Sequence, residues 1–197
     1  MKVAGLVLAA GGGYRLGRPK AEVVVGGRRL VDSVIDSCTA AGLSPVVVVL
    51  GAAWLIPMPP ANSPDGQAAQ IWLVENSEWA TGIASSLQAG LAALTADLDI
   101  EAAVVTLVDT PCVGAEQLSR IGTALRGGAT AAVATYDGNA RTPVGLTRQV
   151  WAEVAATVSG DQGARIWLAA HWHAVTKIEC SDLGHWADID APADLSN

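Results

Sequence analysis

Short aliphatic runs alternate along this chain with segments whose apolar residues recur at helical spacing. Val3–Ala9, Pro45–Leu50, Gln70–Val74, Ala102–Val108 and Ala129–Tyr136 are runs of the first kind. Continuous apolar stretches of this length predict strands buried on both faces. Leu30–Ala41, Ile83–Leu94 and Ala115–Leu125 have helical spacing; Leu87, Leu91 and Leu94 share one face, and Gly42 ends the first of these helices. Buried strands alternating with helices predict an α/β chain, with a mostly parallel central sheet and helices on both faces.

Two stretches depart from this rhythm. Residues 51–69 hold Pro57, Pro59, Pro60 and Pro64 and read as a surface loop. After residue 137, Pro143–Leu146 and Ala174–Cys180 read as strands, and Gln149–Val158 and Ala164–Trp172 as helices. This last part is expected to lie over the top of the sheet. No repeat, low-complexity tract or linker divides the 197 residues, so a single domain is expected over 1–197.

Composition narrows the class. The chain is 51% hydrophobic and 16% charged, which fits an ordered globular domain. Its net charge of −7 is unevenly placed: residues 1–31 carry six cations and one anion, the remainder six cations and eighteen anions. A small anionic ligand is drawn to the first segment, whereas a nucleic-acid backbone is repelled by the rest. Cys38, Cys112 and Cys180 lie far apart, which suits neither a disulfide framework nor a metal knuckle. Reduced thiols and a cytoplasmic location are expected. The apolar start is too short for a signal peptide, and no run reaches the roughly 18 apolar residues of a membrane span.

The candidate chemistry begins where the first predicted strand ends. Ala10, Gly11, Gly12 and Gly13 are followed within a few residues by Arg15, Arg18 and Lys20. Bare backbone N–H groups beside fixed positive charge suit a triphosphate. The loop is not a Walker A motif, since Gly17 is followed by Arg18 rather than Lys-Ser/Thr. The dinucleotide fingerprint fails as well, because Leu16 stands where its third glycine belongs.

Leu8-Ala9-Ala10-Gly11, Arg15, Gly17, Pro19 and Lys20 together resemble the signature of the molybdopterin nucleotidyltransferase family, in its cytidylyltransferase-like branch. Asn76-x-x-Trp79-x-x-Gly82-x-x-x-Ser86-Leu87 resembles that family's base- and ribose-facing segment. Leu107-Val108-Asp109-Thr110-Pro111 is similar to its metal-binding motif, with Thr110 in place of the usual Gln. Asp188-Ile189-Asp190-x-Pro192-x-Asp194-Leu195 resembles its ending. The resemblance runs from Leu8 to Leu195 and implies a Rossmann-like nucleotidyltransferase fold. Residues 1–136 would form the nucleotide-binding part and 137–197 the acceptor side.

The resemblance implies roles residue by residue. Leu8, Ala9, Ala10, Gly11, Gly12, Gly13, Arg15, Lys20, Asn76, Gly82 and Ser86 would bind the nucleotide, with CTP favoured. Arg15, Lys20 and Asp109 would be catalytic. Asp109 and Asp190 would hold Mg²⁺, for which carboxylates are suitable hard ligands. In a strand Asp188 and Asp190 would share a face, and each of these acids also fits a helix cap or turn. Arg141 and Arg165, in Gly138–Val144 and in Gly160-Asp161-Gln162-Gly163-Ala164-Arg165, are candidates for the acceptor's phosphate, since Arg presents a matching fork. Solvent-facing arginines are the other reading. Thr142 stands where relatives carry His.

The implied reaction is Mg²⁺-dependent transfer of a CMP or other NMP group to a phosphate monoester, with release of pyrophosphate. The acceptor would be the molybdenum pterin cofactor, and a molybdoenzyme or its chaperone a partner. The Leu-Val-Asp-Thr-Pro form also resembles that of nicotine blue oxidoreductases, which implies NAD(P)H-dependent reduction of a quinone-like pigment. A third reading is a non-catalytic carrier of the molybdenum cofactor. His171-x-His173 lacks a third ligand at suitable spacing and reads as packing or surface.

Overall fold

Lys2–Leu8 forms the first strand, β1, and its side chains alternate between two buried faces. Val3 and Val7 point to one side, Ala4, Leu6 and Leu8 to the other. Such two-sided burial is what a near-continuous aliphatic run dictates in a parallel sheet. The computed structural model describes residues 1–60, 66 and 68–196. It contains β1, a ribbon of β2 (Val24–Val25) and β3 (Arg28–Arg29), α1 (Leu30–Ala40), β4 (Val46–Leu50), β5 (Ile71–Glu75) and α2 (Ile83–Thr95). There follow β6 (Ile100–Leu107), α3 (Ala115–Arg126), β7 (Ala131–Tyr136), β8 (Asn139–Thr147), α4 (Arg148–Thr157), α5 (Arg165–Ala170) and β9 (Thr176–Glu179).

Seven strands form one sheet in the order β5-β4-β1-β6-β8-β7-β9. All pairings are parallel except the two that β8 makes, with β6 and β7. One face carries α1 and α3, packed on Val46, Val48 and Val104; the other carries α2, α4 and α5, packed on Leu6, Val47, Val49 and Val105. The expected α/β sheet, mostly parallel and covered on both faces, is thus observed. Among the described residues no helix is long and apolar enough to cross a membrane.

The stretch after residue 137, expected over the top of the sheet, enters the sheet in part, as β8 and β9, while α4 and α5 cover one face. Its first strand, β8, is nine residues long rather than four, and it is inserted in the sheet's interior. The signal for it is local: Asp137 and Gly138 both take positive φ, 50° and 74°. An Asp-Gly pair in that geometry turns a two-residue hairpin, here from β7 directly into β8. Pro143 hides the strand from pattern reading. It has no N–H for the ladder, and the β7–β8 register shifts there, from Val133↔Val144 to Ala134↔Arg141.

The expected loop at 51–69 has neither helix nor strand in its described part; residues 61–65 and 67, Pro64 included, lie outside the described residues. At the amino end of the sheet, Arg148 ties α2 to α4. Its guanidinium donates to the carbonyls of Ile100 (2.7 Å), Leu94 (3.1 Å), Thr95 (3.2 Å) and Asp97. Leu94 and Thr95 end α2, where carbonyls lack helical partners.

Candidate active site

The carboxyl ends of β1, β4 and β6 lie side by side because these strands are parallel and adjacent. Loops leaving that edge therefore converge, as in other open α/β sheets. After β1 the chain runs through Gly11–Gly13 and a short 3-10 turn at Tyr14–Leu16, then returns so that the Lys20 N–H reaches the Gly11 carbonyl. Gly13 has φ 58°, and a Cβ there would overlap the carbonyl oxygen of Arg18. Only glycine accommodates both constraints.

The fold back places Lys20 between two carboxylates. Its Nζ donates to Asp109 Oδ2, in the loop after β6, and to Asp190 Oδ1, near the C-terminus, at 2.5 Å each. The Arg15 guanidinium lies 3.3 Å from the other Asp190 oxygen. Burial works to lower the Lys20 pKa, but the two carboxylates outweigh it and the net direction is up. Burial pushes the Asp109 carboxyl above its ordinary range, against the pull of Lys20. Asp190 is more open, and its hydrogen bond from Lys20 holds it below the usual value. Asp109 Oδ1 is buried without a hydrogen-bond partner among the described residues.

This cluster lines a cleft of about 420 Å³. Leu8, Ala10, Gly11, Gly12, Gly13, Arg15, Lys20, Gly82, Ser86, Asp109 and Asp190 all face it. Two expected nucleotide contacts do not. Ala9 is buried in the core on the α1 side. Asn76 is buried, and its amide donates to Ser85 Oγ (2.9 Å) and Ser86 Oγ (3.0 Å) while its Oδ1 accepts from the Glu78 N–H (3.0 Å). Asn76 thus positions Ser86, with both hydrogens of its side-chain amide engaged by Ser85 and Ser86. Tyr14, Trp79 and Asp161 also line the cleft. Trp79 and Asp161 stand inside the sequence blocks quoted above, but spacing alone does not tell which members of a block face a cavity.

A second cavity, of about 830 Å³, adjoins the first; Leu8, Ile83, Leu107 and Asp161 line both. Arg141 and Arg165 face it, with Thr142, Trp172, Trp186 and Asp188. The Arg141 guanidinium lies 5.1 Å from the centre of the Trp186 ring, and the indole N–H of Trp186 donates to Thr142 Oγ1 at 3.2 Å. Asp188 and Asp190 do not share a face as a strand would require. The segment is not a strand, and Asp190 faces the cleft while Asp188 faces the second cavity. Between them Ile189 is buried, and its N–H donates to the Asp109 carbonyl at 2.8 Å.

Among the described residues no three His, Cys, Asp or Glu side chains converge as a metal cage. His171 stacks on Trp167 and lies 3.3 Å from Glu153, away from both cavities. The arrangement can hold an anion on the glycine loop, against Lys20 and Arg15, with two carboxylates at its edge.

Comparison with known proteins agrees with this architecture. Residues 5–175 match the family described as MobA-like NTP transferase domain. The chain is 35% identical over 195 residues to nicotine blue oxidoreductase of Paenarthrobacter nicotinovorans, covering 95% of this chain and 92% of that protein. It is 33% identical over 198 residues to molybdenum cofactor guanylyltransferase of Cereibacter sphaeroides, covering 100% and 95%. A solved structure from Mycobacterium sp. strain JC1, a homolog of Mycobacterium tuberculosis Rv0371c, superimposes with a TM-score of 0.77 at 27% identity, over 99% of this chain and 93% of that one. With a family match over most of its length and two full-length relatives above 30% identity, the chain belongs to the MobA-like NTP transferase family.

Proposed function

We propose that this chain binds a nucleoside triphosphate in the cleft and transfers its nucleotidyl group to a phosphorylated acceptor held in the adjoining cavity. The observation that carries this reading is Lys20, clasped by Asp109 and Asp190 at the edge of the glycine loop. The loop's N–H groups and the cations of Lys20 and Arg15 suit the phosphates; Arg141 and Arg165 suit an anionic acceptor on the far side.

Asp109 and Asp190 fit a divalent cation such as Mg²⁺. Both offer hard oxygens, and the buried Asp109 Oδ1 lacks a partner among the described residues. Two protein carboxylates suffice, since Mg²⁺ usually takes its remaining ligands from phosphates and water. When bound, the ion supplies charge neutralisation at the phosphates. Lys20 and Arg15 then hold the triphosphate and stabilise charge that develops as pyrophosphate leaves. The attacking group is an oxygen of the acceptor's phosphate, which needs no general base near neutral pH. That requirement agrees with a cleft whose described lining contains no histidine. Burial of both substrates side by side gives alignment, the other contribution this chemistry needs.

The family relationship and the guanylyltransferase relative support transfer to the molybdenum pterin cofactor. The test is pyrophosphate release with CTP or GTP, Mg²⁺ and that acceptor, in wild type and Asp109→Ala. Acceptor-dependent release that disappears in the variant is the expected result. The 35% identical oxidoreductase supports a second reading, NAD(P)H-dependent reduction of a quinone-like pigment. Oxidation of NADPH by such a dye, indifferent to Mg²⁺ and without pyrophosphate release, would put that reading first.

A further inference from the structure

We propose that Trp79 is a positioning residue whose indole wedges the glycine loop into the shape that receives phosphates, an inference that rests on the nucleotide reading of the cleft. Trp79 opens the short 3-10 turn Trp79–Thr81 ahead of α2, and its ring reaches across to the loop after β1. A Cβ on Gly12 would lie 2.9 Å from Cζ3 and 3.1 Å from Cη2 of the indole. A Cβ on Gly51, just after β4, would lie 2.5 Å from Trp79 Cβ and 2.6 Å from its Cγ. The two ends of one side chain thus pack on glycines of two different loops.

Space is the reason for glycine at both positions. Neither Gly12 nor Gly51 has a positive φ, so alanine could adopt either backbone. What excludes a side chain is Trp79 itself, helped at Gly51 by Ala10 Cβ, 2.8 Å from the Cβ position. Tyr14 approaches the same indole, with ring centroids 6.3 Å apart and planes tilted by 32°. The root of the wedge is firm, because the Ala52 N–H donates to the Ala10 carbonyl at 3.0 Å and the Asn76 N–H to the Leu50 carbonyl at 2.8 Å.

The tip of the loop has few other restraints. Among the described residues, the N–H groups of Gly11, Gly12 and Gly13 donate to no backbone carbonyl. The bonds that close the loop lie farther along, from the Leu16 N–H to the Gly13 carbonyl (2.9 Å) and from the Lys20 N–H to the Gly11 carbonyl (3.4 Å). Free donors are what a phosphate needs. They also leave contact with Trp79 as the restraint on Gly12, in a run of residues that lose the most conformational freedom when fixed. Without the wedge the loop samples more shapes, and apparent affinity falls with the fraction that is competent to bind.

The test is calorimetric titration of GTP, CTP and inorganic tripolyphosphate, each with Mg²⁺. The proteins are wild type, Trp79→Ala, Gly12→Ala and the double variant Gly12→Ala with Trp79→Phe, each checked for native fold by circular dichroism. Trp79→Ala should weaken all three ligands by a similar factor, about 10- to 100-fold if the receptive loop falls to a population of roughly 1–10%. Gly12→Ala should weaken them as well, since its methyl meets the tip of the indole. The shorter ring introduced by Trp79→Phe removes that overlap, so the double variant should recover most of the affinity lost in Gly12→Ala. A merely structural role for Trp79 would not give such a rescue, and this pair decides the matter even if Trp79→Ala does not fold. A double variant no better than Gly12→Ala would overturn the proposal. A loss confined to GTP and CTP, with tripolyphosphate unaffected, would make Trp79 a contact for the base and overturn it too. Wild type that binds tripolyphosphate but neither nucleotide would overturn the nucleotide reading and leave the wedge standing, and failure to bind any of the three would overturn both.

Discussion

The ammonium of Lys20 lies 2.5 Å from Asp109 Oδ2, although 89 residues separate the two in sequence. Parallel neighbours β1 and β6 bring their loops to one edge, and the fold back of the glycine loop does the rest. The two side chains are 17% and 16% exposed, so their interaction is only partly screened by solvent. Replacement of Lys20 by Ala should lower kcat/KM for nucleotidyl transfer by about 100- to 1,000-fold, the usual loss for a preorganised charge-stabilising donor. A circular dichroism spectrum like that of wild type would show that the fold persists. Turnover within tenfold of wild type would exclude Lys20 from the chemistry.

The Gly13 position makes a separate prediction about the loop. Gly13→Ala forces a side chain into positive φ and against the Arg18 carbonyl. It should cost about 1–3 kcal/mol of local conformational strain. We expect weaker triphosphate binding with a smaller change in global stability, because the loop can distort while the sheet stays intact. Parallel denaturant titrations and nucleotide titrations measure the two effects.

At the opposite edge of the sheet, Arg148→Ala should destabilise without touching catalysis. The variant strands carbonyls of Leu94, Thr95, Asp97 and Ile100, and removes an arginine 4.9 Å from the centre of the Trp151 ring. Losing hydrogen bonds to a charged group costs about 1.5–3 kcal/mol. Urea unfolding should report that loss, with transfer activity unchanged at temperatures well below the melting point.

Glu179 sets a pH-dependent contribution to stability. It accepts from Ser181 Oγ (2.5 Å), Thr135 Oγ1 (2.8 Å) and the Ser181 N–H (3.1 Å), and these bonds pull its pKa from 4.5 down to about 2. A depressed carboxylate stabilises the folded state fully above its unfolded value and loses that contribution as pH falls through the folded one. The melting temperature of wild type should therefore exceed that of Glu179→Gln near pH 6. The gap should shrink between about pH 4.5 and pH 2. A gap that stays constant across that window would show that ionised Glu179 is not the source.

Most of the sheet was legible because its signal is local. Val3–Ala9, Pro45–Leu50 and Ala102–Val108 are aliphatic on both faces, and each is a central strand within a residue or two of its expected ends. The helices at Leu30, Ile83 and Ala115 follow equally from spacing. β8 was read only in part, since Pro143 interrupts a strand pattern that the Asp137-Gly138 turn announces. The site was legible where a motif lies within one loop, as from Gly11 to Lys20. It was not legible at Asn76, whose amide spends its hydrogen bonds on Ser85 and Ser86. Nor was it legible at Asp188 and Asp190, which the non-strand backbone turns into different cavities.

From the residues themselves come the strand and helix periods, the cationic glycine loop and the family to which they belong. These are properties of neighbours in sequence, and local conformational preference is enough to express them. Tertiary structure alone decided that β8 runs antiparallel inside the sheet, that Lys20 reaches both Asp109 and Asp190, and that Asp161 stands at the wall between two cavities. Each of these depends on strand order and on close approaches between segments far apart in the chain. Such contacts arise from the packing of the whole core, which no single stretch of sequence encodes.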